Sequence, residues 1–156
     1  MIRITSIASG NQGTWEKLRV MAGLTREAAA DSYFSGAAKS FFYHPTAGEV
    51  DAQIRYFYTY TNEAVETLYS PIFNMKRYAA GADIIGDCDD VSMFLAAVLK
   101  VKGYRTRFVA LRTRRHDPEF YHVVVEALEH GKWKRFDPTV IQGLMQVDYG
   151  QMVEYV

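Results

Sequence analysis

The chain holds a single cysteine among its 156 residues, Cys88. An internal disulfide framework is therefore excluded, and the chain is compatible with a reducing compartment. It also lacks net charge: 18 basic and 18 acidic residues cancel. That balance argues against wholesale binding to nucleic acid or to an anionic membrane. No apolar run approaches the ~20 residues that span a bilayer. The start, Met1-Ile2-Arg3-Ile4-Thr5, lacks the continuous apolar stretch of a signal peptide. Cytoplasmic placement is expected, or release from a cytoplasm by lysis. Repeats, low-complexity tracts and long Gly/Ser linkers are missing too. What is present is a core: 49% of residues are hydrophobic and 14% aromatic, the composition of a folded domain. The length suggests one domain over residues 1–156.

The first half, residues 1–80, reads helical. Thr14 is placed to cap a helix carrying Trp15, Leu18, Val20 and Met21, which Gly23 would end. Thr25 is placed to cap a second, with Ser35-Gly36 interrupting it. His44 to Gly48 reads as a turn. A third helix then carries Val50, Ile54, Phe57 and Tyr58 on one face. Ser70-Pro71 breaks the chain, and Tyr78 to Ile85 reads as irregular.

The second half changes period. From Asp89 to Lys102, apolar residues fall at Val91, Phe94, Leu95, Val98 and Leu99, a helix with one face in the core. Acids crowd its start, lysines its end, and Gly103 suits the position just past it. Tyr104–Leu111, Phe120–Leu128 and Lys132–Phe136 read as strands of an antiparallel meander. The expected class is α+β: N-terminal helices and a central helix packed on an antiparallel sheet.

Three residues carry chemistry. Cys88 lies in Gly86-Asp87-Cys88-Asp89-Asp90, at the start of the central helix. A thiolate is the attacking species, and unpaired N–H groups at a helix start favour it. Asp87, Asp89 and Asp90 would oppose it if they faced the sulfur; as helix caps they point away. Gly86 allows a sharp turn and close approach of a substrate. His122 sits in the second strand and Asp137 just after the third. If Leu128 pairs with Gly131, His122 is opposite Asp137. If Glu129 pairs with Lys132, Asp137 is opposite Val124, on the same face as His122. Either register lets the carboxylate reach the imidazole. A nucleophile, a base and an orienting acid are what covalent catalysis requires. A turn role for Asp137 before Pro138 is compatible with this.

These motifs have a family resemblance. Gly86-x-Cys88 at a helix start, Gly103-Tyr104-x-Thr106-Arg107 opening a strand, a histidine in the next strand, then Trp133-x-x-x-Asp137-Pro138-Thr139 resemble the transglutaminase-like superfamily. The resemblance covers roughly residues 81–140. It implies a papain-like core and a triad of Cys88 as nucleophile, His122 as base and Asp137 as orienter. Short bacterial and phage-encoded members carry a similar Gly-Asp-Cys-Asp-Asp sequence after a helical extension. Ser92 stands where a small alanine is common. The implied reaction is amide-bond hydrolysis or acyl transfer on a peptide or protein through a thioester, with no cofactor. A different reading is a non-catalytic assembly module of a phage or prophage structural cluster.

Other features have blander alternatives. Asp87, Asp89 and Asp90 with His122 or His116 could ligate a metal, but their spacing fits neither a Ca²⁺ loop nor a zinc site, and no metal is expected. The basic loop from Arg112 to Pro118 could contact an anionic group or be a solvated connector. Tyr56, Phe57, Tyr58 and Tyr60 form an aromatic stripe that serves either core or interface. Gln53, Asn74 and Tyr78 are candidates for a second oxyanion donor beside the Cys88 N–H. Oligomeric state is left open.

Overall fold

The computed structural model describes residues 2–3, 10–62, 67–116, 118–140 and 150–156. Four helices precede the central one: α1 (Gly10–Ala30), α2 (Ser32–Phe41), α3 (Ala47–Tyr56) and α4 (Pro71–Ala79). Short strands lie between and beside them: β1 (Ile2–Arg3), β2 (Tyr58–Tyr60), β3 (Thr67–Leu68) and β4 (Ile84–Gly86). The central helix α5 (Cys88–Val101) leads into β5 (Thr106–Leu111), β6 (His122–Glu129), β7 (Lys132–Phe136) and β8 (Gln151–Tyr155). The last four form an antiparallel sheet in the order β7-β6-β5-β8. β1 pairs with β3 antiparallel, and β2 with β4 parallel. The class is α+β. None of the described helices is long and apolar enough to cross a membrane.

The helical half differs from the sequence reading. Gly23 does not end a helix and Thr25 does not cap one; both lie inside α1. Leu18, Met21, Ala22, Thr25 and Ala28 are all fully buried. Packing of that stripe outweighs the ~1 kcal/mol that an internal glycine costs relative to alanine. The Thr25 hydroxyl donates back to the Met21 carbonyl at 2.8 Å, so its polar group is satisfied without capping. The break falls at Asp31, whose carboxylate accepts from the Phe34 N–H at 2.8 Å and starts α2. Ser35 and Gly36 are interior to α2. Thr46 and Glu49 make a capping box at the start of α3. That helix stops at Tyr56, so Tyr58 and Tyr60 belong to a strand, not to a helical stripe. Ser70 caps α4 with Pro71 in its first turn, where the missing N–H costs nothing. Helix α4 runs to Ala79 and β4 opens at Ile84, so the stretch between is shorter than the Tyr78 to Ile85 run read from sequence.

Helix α5 is buried along its length from Asp89 to Leu99, not on one face alone. The sheet covers one side, through Phe108, Ala110, Val123, Val125 and Ala127; α1 to α4 cover the rest. Ala96 and Ala97, both fully buried, are the small residues that admit those neighbours. Gly103, with φ 91°, ends the helix in the left-handed region.

The β6–β7 register is Glu129 opposite Lys132. The two turn residues, His130 and Gly131, have φ of 50° and 77°. Positive φ at both is the I′ turn, whose twist matches that of paired strands. Extended by one residue, this register sets Asp137 beside Val124. β8 was not read from the sequence; it pairs with β5 and completes the sheet on the far edge.

Candidate active site

Three elements converge at the N-terminus of α5. Strand β4 delivers Gly86, the turn delivers Cys88, and the first residue of β6 is His122. Cys88 and His122 line one cavity of about 250 Å³, together with Thr14, Lys17, Tyr60, Asp87, Asp89, Phe120 and Tyr121. Asp137 is not part of that lining. It lies behind the imidazole, 2% exposed, and accepts a hydrogen bond from His122 Nε2 on its Oδ2. Its Oδ1 accepts from the Thr139 N–H at 3.0 Å and from the Thr139 hydroxyl at 2.5 Å. Asp137 is thus both a turn former and the partner of the imidazole. Burial pulls its carboxyl upward; the His122 hydrogen bond and charge and the two Thr139 bonds outweigh that and hold it below the usual carboxylate range.

A pair on α3, buried Asp51 and half-buried Arg55, sits behind this carboxylate. Arg55 bonds to Asp51 and also donates to the Asp137 carbonyl at 3.4 Å. Burial pushes Asp51 up to about 6 against the pull of Arg55. Sequence reading passed over both, because a carboxylate and an arginine four apart look like a solvated helix pair.

The turn before Cys88 is built by acids, and two of the three, Asp87 and Asp90, are the helix caps the sequence suggests. Asp87 caps α5 by accepting from the Asp89 N–H at 2.9 Å. Asp90 reaches back to the Asp87 N–H at 3.0 Å and also accepts from Tyr69 N–H at 2.6 Å. It is 1% exposed, and burial with the charges of Asp87 and Asp89 pushes its carboxyl up to about 8. Gly86 is required by this carboxylate. Its φ is 131°, and an added Cβ would lie 2.2 Å from Asp90 Oδ2. Gly86→Ala is expected to cost about 3 kcal/mol or more, from backbone strain plus loss of buried hydrogen bonds. Denaturant unfolding checks this; an unchanged midpoint would show that the turn tolerates a side chain.

Asp89 departs from the expected role of a cap that points away. It is 1% exposed, pairs with Lys17 at 2.6 Å, and lies 3.7 Å from the Cys88 sulfur, which donates its S–H toward Asp89 Oδ1. Burial, then the charges of Asp89 and Asp87, push the thiol well above its ordinary value. A hydrogen bond from the Val123 backbone and the charge of Lys17 pull the other way and are outweighed. The resting thiol is therefore protonated at neutral pH, although it sits at a helix start. Removing the Asp89 charge lowers the thiol pKa, so Asp89→Asn is expected to move iodoacetamide alkylation of Cys88 to lower pH and to speed it at pH 7. A profile that stays put or moves to higher pH would mean that Asp89 does not set the thiol.

Ser92 fixes the sheet against the helix. Its hydroxyl donates to the Val123 carbonyl at 3.1 Å, one residue past His122. This bond uses the extra oxygen that an alanine would lack, and it links the element of Cys88 to that of His122. Arg114 stacks on Tyr121 at 4.3 Å, so the basic loop borders the cavity through that ring. Asp117 of the same loop lies outside the described residues. His116 does not line the cavity. Asp87, Cys88 and Asp89 do bring potential metal-ligating atoms within 4.8 Å of one another. Asp87 and Asp89 are already engaged by the helix cap and by Lys17, and both oxygens of Asp90 by backbone N–H groups.

The proposed oxyanion candidates are elsewhere. Asn74 holds the Ile85 backbone with both ends of its amide, at 2.9 and 3.0 Å. Gln53 donates to the Phe41 carbonyl at 2.9 Å and to the Tyr78 hydroxyl at 3.0 Å. None of the three lines the cavity.

No family model matches the chain, and neither does any curated protein. Solved structures do match in fold. One is a candidate cysteine protease from Cytophaga hutchinsonii, with a TM-score of 0.59 at 14% identity over 80% of this chain and 46% of that one. Another is a candidate protease from Parabacteroides distasonis, with a TM-score of 0.55 at 13% identity over 89% of this chain and 29% of that one. The chain thus spans less than half the length of either, and shares with them a papain-like α+β fold.

Proposed function

We propose that the chain is a cysteine hydrolase or acyltransferase of the transglutaminase-like superfamily, acting on amide bonds of peptides or proteins. The observation that carries this reading is the His122–Asp137 hydrogen bond beside a cavity that Cys88 also lines. Asp137 holds the Nε2–H tautomer, which leaves Nδ1 as the basic nitrogen. Cys88 attacks the carbonyl carbon while His122 Nδ1 takes its proton, because the resting thiol is neutral. The amine leaves with that proton, and a thioester stands on Cys88. Water then releases the acid. Hydrolysis is favoured over transfer to an amine because Tyr60 and Tyr121, 59% and 45% exposed, leave the cavity wall open to water. These steps call for no cofactor.

A second reading, an assembly module with an idle triad, draws on one observation: Asp89 faces the thiol and keeps it protonated. The two readings part on turnover. Incubated with a mixed peptide library, the chain is expected to release new amines or ammonia, with methylamine trapping only a minor share of the acyl product. Folded protein that releases neither, while Cys88 alkylates at the rate of an isolated thiol at the same pH, would favour the assembly module.

A further inference from the structure

We propose that Tyr60 is the second oxyanion donor of the Cys88 site, its phenol O–H serving the carbonyl oxygen that gains charge as the thiol attacks. This rests on the acyl-transfer reading above. A tetrahedral intermediate needs more than the single Cys88 N–H, because each preorganised donor removed costs about 10²–10³ in rate. The three side chains that the sequence offered are engaged away from the cavity. Tyr58 spends its hydroxyl on the Gly86 carbonyl at 2.9 Å. The Lys17 ammonium is held by Asp89.

Tyr60 differs in placement. It ends β2 and pairs with Gly86 of β4, two residues before Cys88. The next residue, Thr61, donates its N–H to the Gly86 carbonyl at 2.9 Å, so the ladder fixes the backbone on which Tyr60 stands. Its side chain lines the cavity with Cys88 and His122 and remains open to a ligand. Among the described residues its hydroxyl has no hydrogen-bond acceptor. Burial and the charges of Asp87, Cys88 and Asp89 raise its pKa, so the proton it would donate stays in place at neutral pH.

Two probes of the full chain separate this role from a structural one. With p-nitrophenyl acetate, the Cys88 proton passes to His122 as the sulfur–carbon bond forms. The carbonyl electron pair moves to oxygen, then returns and expels 4-nitrophenolate. With iodoacetamide, sulfur displaces iodide and no oxyanion forms. Tyr60→Phe keeps the ring and loses the O–H. It is expected to slow acylation by about 10²-fold and leave alkylation unchanged. Unchanged acylation, or an equal fall with both probes, would overturn the assignment. Wild-type acylation no faster than that of free glutathione would instead bring down the acyl-transfer reading, and Tyr60 with it.

Discussion

Cys88→Ala is expected to abolish acyl transfer, by about 10⁴-fold or more, and to leave the fold standing. The loss follows from the covalent step itself, since no other cysteine exists to take it over. The fold survives because Cys88 packs against the core without belonging to it, and because the turn is held by Asp87 and Asp90, not by the thiol. His122→Ala is expected to cost nearly as much, and the double variant no more than either single one, because the two groups act as a unit. Turnover on the peptide library measures the loss, and thermal unfolding reports the fold. Retained turnover in Cys88→Ala would remove the nucleophile assignment. A double variant far worse than both singles would separate the two roles.

Asp137→Asn is expected to lose about 10³–10⁴ in rate with the turn intact. The reason is local. Asp137 Oδ1 accepts two donors from Thr139, while Oδ2 accepts one from His122. An asparagine has one oxygen, and the Thr139 side with two donors claims it. Its NH₂ then faces His122 Nε2 and stabilises the tautomer protonated on Nδ1, which cannot take the thiol proton. Asp137→Asn combined with Thr139→Val removes one competing donor and should recover part of the rate. No recovery would place the loss elsewhere, for instance in the Arg55 contact. The carboxylate's own contribution to stability has a defined pH window. Its folded pKa is depressed, so the stabilisation is present above the unfolded carboxylate value and is lost only as pH falls through the folded one.

The strands and α5 were legible because their signals were local. The move from period 3.6 to period 2 at Gly103 marked the boundary, and the His130-Gly131 pair named its own turn. The meeting of His122 with Asp137 followed from strand parity, which depends only on counting across that turn. The helical half was harder. Gly23 and Thr25 are breaking or capping residues by propensity, yet tertiary burial of Leu18, Met21 and Ala28 carries α1 through them. β8 is a five-residue edge strand, too short for its alternation to stand out. The acids beside Cys88 show a further limit. Sequence marked all three as caps, and two of them are, but Lys17 on α1 decides where Asp89 points. Nothing near Asp89 announces a lysine 72 positions earlier. The oxyanion question had the same form: Asn74 is polar and upstream, but the structure spends it on β4.

The central claim is a covalent acyl group on Cys88, formed with His122 as base. Intact-protein and peptide mass spectrometry after brief exposure to p-nitrophenyl acetate, with an acid quench, tests it directly. The account predicts a single acetyl group on Cys88, released by hydroxylamine, and formed far more slowly in His122→Ala at neutral pH. An unmodified Cys88 under conditions that acylate a simple thiol, or acylation that proceeds as fast without His122, would contradict it.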